Sequence, residues 1–330
     1  MSVFKKTAIA LLISSPFILS ACGGSSSSDD DTVAFNLSVS DAPVDHATSV
    51  VACFNEVELR AGENTQNFIV GGENGEVAAN DVCKDESGNV VPNTHGIDLM
   101  QFTGDDAATL ITGTRIPVGE YSQLRLSITP ESYAVVKVMN EETGEYTEET
   151  KVVNLTVPSN ELKLDGFVAT QGSEVSLTVE FDLRKSMVNP QNSEDLVLKP
   201  RGVRLVDNNT AGHIEGDVNE MLIQGEACDM NGAFVYLYEG TVAVADMGDM
   251  HYNANTGEYA GDKTEPVASV AVEMEEQGDY EYEIGYVQAG DYTLALTCSS
   301  DDSEAADELE FISAKTAIVE DKQTSEVDFN

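Results

Sequence analysis

The nine residues VSLTVEFDL (175–183) alternate without a break. Val175, Leu177, Val179, Phe181 and Leu183 are apolar, and Ser176, Thr178, Glu180 and Asp182 between them are polar. Successive side chains of a strand point to opposite faces, so a period of two puts one row in a core and the other in water. The period recurs at Val33, Phe35, Leu37 and Val39, at Leu124, Leu126 and Ile128, and at Tyr292, Leu294, Leu296 and Cys298. Turn signals separate the runs: Glu-Thr-Gly-Glu at 142–145, Leu-Asp-Gly-Phe at 164–167 and Asn-Thr-Gly-Glu at 255–258. No long stretch has a helical period, and only 99–111 and 301–309 are expected to hold short helices. Many short half-buried strands predict an all-β chain of antiparallel sheets packed as tandem β-sandwiches of immunoglobulin or transthyretin type.

The 330 residues include 17 basic and 59 acidic side chains, a net charge of −42. That balance excludes nucleic acid as a partner, because such affinity comes from neutralising phosphates with Lys and Arg. It also opposes direct docking on anionic lipid, and suits a self-repelling soluble surface or cation binding. The charge shifts near 207–212: residues 22–211 hold 12 basic and 31 acidic side chains, whereas 212–330 hold 3 and 28. Two sandwich domains are therefore expected, at 33–208 and 212–330. The second holds eight of the eleven tyrosines.

At the N-terminus Lys5 and Lys6 precede an apolar run, 7–20, that ends in Leu-Ser-Ala-Cys. Fourteen residues are too few for a transmembrane helix, which takes about 20. A charged start and a short apolar middle mark an export signal. The LSAC block resembles the lipobox of bacterial lipoproteins, which implies cleavage after residue 21 and acylation of Cys22. Gly23, where an aspartate would imply inner-membrane retention, points by the same resemblance to the outer membrane. The tail that follows, GGSSSSDDD (23–31), is flexible, so 22–32 is expected to act as a tether holding the body about 15–20 Å from the lipid.

Four further cysteines, Cys53, Cys83, Cys228 and Cys298, form an even set in a compartment that favours disulfides. Three pairings are possible. Cys53–Cys83 and Cys228–Cys298 are expected, since each keeps its bond inside one domain. A zinc site has little support, since no Cys-x-x-Cys and no nearby His-x-x-x-His is present.

The blocks LSVSDAPVDHATSVVACFNEVEL (37–59), GIDLMQF (96–102), RIPVGEYSQLRLSI (115–128), LKLDGFVA (162–169), VEFDLRKSMV (179–188) and LKPRGVRLVDN (198–208) resemble a bacterial envelope family, domain of unknown function 4382. The resemblance spans about 33–207 and implies no established activity and no catalytic residues. GHIEGDV (212–218), AFVYLYEG (233–240), DYEYEIGYVQAGDYTLAL (279–296) and SEVDF (325–329) resemble a carboxypeptidase-regulatory-like module, a small transthyretin-like sandwich. Some sandwiches related to that module bind carbohydrate.

No catalytic motif is present: no Gly-x-Ser-x-Gly, His-Glu-x-x-His or phosphate loop. The only histidines are His46, His95, His213 and His251. An enzyme is not expected, and no cofactor is implied beyond calcium as a candidate. In SDAPVDHA (40–47), Asp41 and Asp45 are candidate cation or ligand groups, while turn building by Asp41 and Pro43 explains the same residues. In DMGDMHY (246–252), Asp246, Asp249 and His251 are candidate metal ligands with Met247 and Met250 beside them, or else a polar insertion between strands. Tyr252 and Tyr259 are the candidate sugar-stacking pair. Tyr280, Tyr282 and Ile284 alternate with Glu281 and Glu283 and are expected to face a core. The expected role is a non-catalytic, lipid-anchored envelope module that binds an envelope protein or a polysaccharide. A carbohydrate-binding lipoprotein and a calcium-dependent adhesin are the alternatives.

Overall fold

The computed structural model describes residues 31–42, 44, 46–140, 146–190, 195–225, 228, 232–275 and 278–330. The chain is all-β. The strand Glu174–Asp182 lies between Thr32–Ala42 and Val203–Asp207, with Ala108–Pro117 beyond Thr32–Ala42. A nine-stranded sheet, with Ala47–Arg60 at its centre, packs against this four-stranded one. The apolar row Val175, Leu177, Val179 and Phe181 joins Phe35 and Leu37 from its own sheet and Val57, Leu124 and Leu126 from the other. Burying side chains of this size stabilises by about 1.5–3 kcal/mol each.

Not every pairing is antiparallel as expected. Glu174–Asp182 runs parallel to Thr32–Ala42, and Ala211–Asp217 runs parallel to Thr324–Glu326. Parallel neighbours need a long crossover, and the intervening strands, from Ala47–Arg60 to Phe167–Ala169, supply it for the first pair. The strand Thr32–Ala42 also begins at Thr32, inside the expected tether.

Two further four-stranded sheets follow. One holds Glu273–Met274, Tyr280–Gln288, Ala211–Asp217 and Thr324–Glu326; the other holds Ala268–Ala271, Phe234–Glu239, Gly290–Thr297 and Phe311–Val319. Ile214, Leu237, Tyr282, Ile284, Leu294, Leu296 and Phe329 fill the core between them. Among the described strands no sheet draws members from both sides of 208–210.

The expected helices do not form. Residues 99–111 hold a single 3-10 turn, Leu99–Gln101, and then enter the strand Ala108–Pro117, with Gly104 at φ +62 breaking any helix between. At 301–309 the aspartates bind backbone instead: the Asp302 carboxylate accepts from Glu304 N, and Asp307 accepts from Asp302 N. Such local bonds compete with helix formation. The α-helix Leu183–Ser186 is capped by Asp182, which accepts from Lys185 N.

Of the turns, Leu-Asp-Gly-Phe links Glu161–Leu164 to Phe167–Ala169, and Gly257 takes φ +73 in the second Thr-Gly turn. The turn at 142–145 lies outside the described residues. Both disulfides pair as expected, with Cα–Cα separations of 6.0 Å for Cys53–Cys83 and 4.8 Å for Cys228–Cys298. Among the described residues no helix is long and apolar enough to cross a membrane.

Candidate functional site

The polar row of 175–183 does not face water. Thr178, Glu180 and Asp182 are as deeply buried as the apolar row behind them. Residues beyond 210 cover this side of the strand, and the row becomes part of a polar seam. Asp182 accepts from Ser269 N at 3.4 Å, and Tyr286 donates to Asp105 O at 2.8 Å. Gly104 and Gly285 abut so closely that the Gly104 carbonyl occupies the place of any side chain at 285.

Five cations from one short segment reach across the seam. Arg184 donates to Ser269 and lies 3.7 Å over the Phe234 ring. Lys185 pairs with Glu265 at 3.0 Å, and Lys199 donates to Ala254 O. Arg201 donates to Ser303 Oγ at 2.9 Å and pairs with Glu304 at 3.5 Å. Arg204 donates to Tyr286 O at 3.0 Å. The cations of the less acidic half thus meet the carboxylates and carbonyls of the more acidic one.

Three carboxyl groups are trapped at or beside this seam. Asp41 is fully buried, and neither of its oxygens has a hydrogen-bond partner. Burial, then the charges of Glu180, Asp182 and Asp98, holds its carboxyl well above the usual range. Glu180 stands 3.9 Å from Arg204 on the neighbouring strand, yet burial outweighs that cation and pushes its pKa up to about 8. Asp182 is raised by burial, in spite of the Lys185 N–H and the charges of Lys185 and Arg184. A neutral carboxyl costs far less to bury than a charged one.

On the outer face of the sheet around Tyr280–Gln288, carboxylates stand opposite carboxylates. Glu326, Glu215 and Glu283 form one row across three strands, and Asp217, Glu281 and Glu273 form a second. Like charges directly opposite one another destabilise a sheet. Desolvation and the neighbouring Glu275 and Asp217 push the Glu281 carboxyl upward. Glu283 is raised chiefly by burial and partly relieved by the Asp105 N–H, which donates to it at 2.7 Å. The rows line an open groove of about 350 Å³ with Thr103 and Gly104 at one wall.

The model of a domain of unknown function, DUF4382, matches residues 32–200, just over half of the chain. The chain belongs to the DUF4382 family. The matched stretch supplies the nine-stranded sheet, three of the four strands of the sheet around Glu174–Asp182, the buried carboxyls Asp41, Glu180 and Asp182, and three of the seam cations, Arg184, Lys185 and Lys199. No curated protein matches this DUF4382 chain. Among solved structures, the Bacillus anthracis TIE protein aligns at TM-score 0.18 and 12% identity, covering 90% of this chain and 34% of its own. A candidate cell adhesion protein from Bacteroides fragilis aligns at TM-score 0.21 and 9% identity, over 90% of this chain and 92% of its own. The shaft pilin SpaA of Lactobacillus rhamnosus GG aligns at TM-score 0.17 and 8% identity, over 91% and 98%. Likeness at these scores carries no argument about topology or role.

The candidate residues of this DUF4382 protein fall in different places. Cys22 and Asp45 lie outside the described residues. Asp41 is buried in the fold, not set in an open loop. Tyr252 and Tyr259 do meet, edge to face at 5.7 Å, but Tyr252 is only 2% exposed. Its hydroxyl donates to Glu265, and Lys185 and Arg201 lie 5.2 and 4.8 Å from its ring centroid. It anchors the seam, so the exposed aromatic pair expected for a sugar platform is not formed. Asp246, Asp249 and His251 do not converge either: among the described residues no group of three or more His, Cys, Asp or Glu is arranged to hold a metal ion. Met247 and Met250 pack into a small core with Tyr236, Tyr238 and Tyr252, and Asp249 accepts from Asp307 N.

Sequence reasoning missed the seam and the carboxylate rows. Both left a trace: five of the 12 basic residues of 22–211 crowd into 184–204, and Glu215/Asp217 and Glu281/Glu283 repeat acids at the strand period.

Proposed function

We propose that this protein is a non-catalytic envelope module, tethered to the outer membrane through acylated Cys22, that presents its carboxylate rows to a cationic partner. Its two domains, 33–208 and 212–330, act as one body joined at the cationic seam. The observation that carries this reading is the pair of like-charge rows across one sheet. Such rows weaken the free sheet, and a basic segment of an envelope protein laid along them would offset that repulsion. The resemblance of 212–330 to a carboxypeptidase-regulatory-like module supports a binding role without chemistry.

Oligolysine is the simplest probe. It is expected to bind the protein at low ionic strength, with affinity falling as salt rises. Glu281→Lys is expected to weaken that binding tenfold or more, while raising stability at low salt, as repulsion within the row is relieved. Binding indifferent to both salt and Glu281→Lys would sink the reading. The tether is tested separately by fractionation. Wild-type protein should pellet with membranes, and Cys22→Ser should release it to the soluble fraction; a Cys22→Ser protein that stays membrane-bound would exclude the lipid anchor.

A further inference from the structure

Among the described residues, the richest concentration of left-handed non-glycine backbone lies beside the nine-stranded sheet, at residues that the groove of the carboxylate rows does not share. A cleft of about 780 Å³ opens there between the strand Ala47–Arg60, the loop 91–94, the turn 129–131 and the residues 159–161. This is the size range of small-ligand sites. The strand Ala47–Arg60 shifts register between Phe54 and Glu56, so Asn55 sits at a bulge and lines the cleft. Bulges re-aim side chains and gather beside functional sites.

Asn93, Ser159 and Asn160 line the same cleft, and all three have left-handed backbone, at φ 56, 60 and 54. Five non-glycine residues in the described chain take such angles, so most of them converge on this one place. Strain of this kind persists only where the surroundings impose it, and it gathers at ligand clamps. The Cys53–Cys83 disulfide fixes the loop that carries Asn93: Cys83 O accepts from Val91 N, and Cys53 O accepts from Thr129 N, at the opposite wall. Thr129 adds a buried hydroxyl with no hydrogen-bond partner.

The lining identifies the ligand class. No Lys, Arg or His lines the cleft, which excludes anions. Amides and hydroxyls predominate, and the exposed apolar surface of Ile69 lies among them with Pro92 and Pro130. Of the three carboxylates, Glu161 already pairs with Arg125 at 3.3 Å and Lys163 at 3.5 Å, which leaves Glu56, next to the bulge at Asn55, and Glu131 in the turn opposite; Glu56 is assigned to the ligand because the bulge carries it. Amide and carboxylate groups together match vicinal hydroxyls, while proline and isoleucine match the C–H face of a sugar ring. We infer that this cleft, within the family-matched part of the chain, binds a neutral polyhydroxylated ligand: a saccharide unit. The site is separate from the carboxylate rows, and from the tyrosine pair, of which Tyr252 is buried and Tyr259 half-buried.

The test uses the whole protein on an array of neutral, amine-bearing and uronic-acid oligosaccharides. Neutral glycans are expected to be retained. Asn93→Ala and the isosteric Glu56→Gln should each weaken retention at least tenfold, with Glu56→Gln leaving the melting temperature unchanged. Glu281→Lys should not alter glycan retention, which separates this site from the cationic-partner surface. Retention of no neutral glycan, retention of amine-bearing glycans alone, or wild-type retention by Glu56→Gln would each overturn the inference.

Discussion

Raising the pH from 5 to 9 is expected to destabilise the protein, and Glu180→Gln to remove a large part of that loss. Glu180 has a folded-state pKa of about 8, against an ordinary value of 4.5. Its stability contribution is therefore complete below about pH 4.5 and is lost as the pH rises toward 8, because the unfolded chain ionises first. At about 1.4 kcal/mol per pKa unit the loss is on the order of 4 kcal/mol. Asp41 and Asp182 are raised by burial too and act in the same direction. Arg204, Arg184 and Lys185 face this cluster and moderate the effect without reversing it. Urea unfolding at a series of pH values measures it directly. A flat profile between pH 5 and 8, or an unchanged slope in Glu180→Gln, would show that the seam is solvated. Asp41→Asn should stabilise the protein at pH 9, since it removes a buried charge that has no partner.

The second large effect concerns Cys53 and Cys83. Replacing both by alanine is expected to cost about 3–4 kcal/mol, from the loop entropy that a 30-residue closure removes from the unfolded chain. Cys53 lies mid-strand, fully buried beside Val51, whereas Cys83 sits in a stretch, 70–94, with no named strand. Without the bond, most backbone hydrogen bonds of that stretch stay inside it, such as Gly71 N to Val77 O and Val91 N to Cys83 O, and Val70 N to Asn55 O is the link to the strand Ala47–Arg60. The double variant should therefore also be nicked by protease between 72 and 92 while the sheets persist. A loss below about 1 kcal/mol, with no new cleavage, would mean that the loop is held by packing alone.

Much of the fold was legible in the chain because it depends on local period. Alternation at 33–39, 124–128, 175–183 and 292–298 marks strands and assigns each apolar row to a core, as observed. Tyr282 and Ile284 face inward for the same reason. The cysteine pairing followed from keeping each bond inside one unit. The family blocks agree with the matched region at 32–200.

The candidate sites were less legible. Tyr252 looked like an exposed aromatic in a polar insertion, and nothing local announces that Lys185 and Arg201, both more than fifty residues earlier in the chain, lie over its ring. The cleft at Asn55 is assembled from five separate stretches between residues 55 and 161, none of which carries a motif. Asn tolerates the left-handed region better than most residues, but that Asn93, Ser159 and Asn160 take it is decided by the fold around them.

VSLTVEFDL shows where the division falls. By itself the sequence determined that 175–182 is a strand, that its two faces differ, and that Val175, Leu177, Val179 and Phe181 belong to a core. A period of two separates the faces but says nothing of what covers the polar one. Only the tertiary structure decided that Thr178, Glu180 and Asp182 lie buried beneath the second sandwich, because burial depends on contacts made far along the chain. The same contacts raise the pKa of these carboxylates, that of Glu180 to about 8, since desolvation, not sequence, sets the cost of their charge.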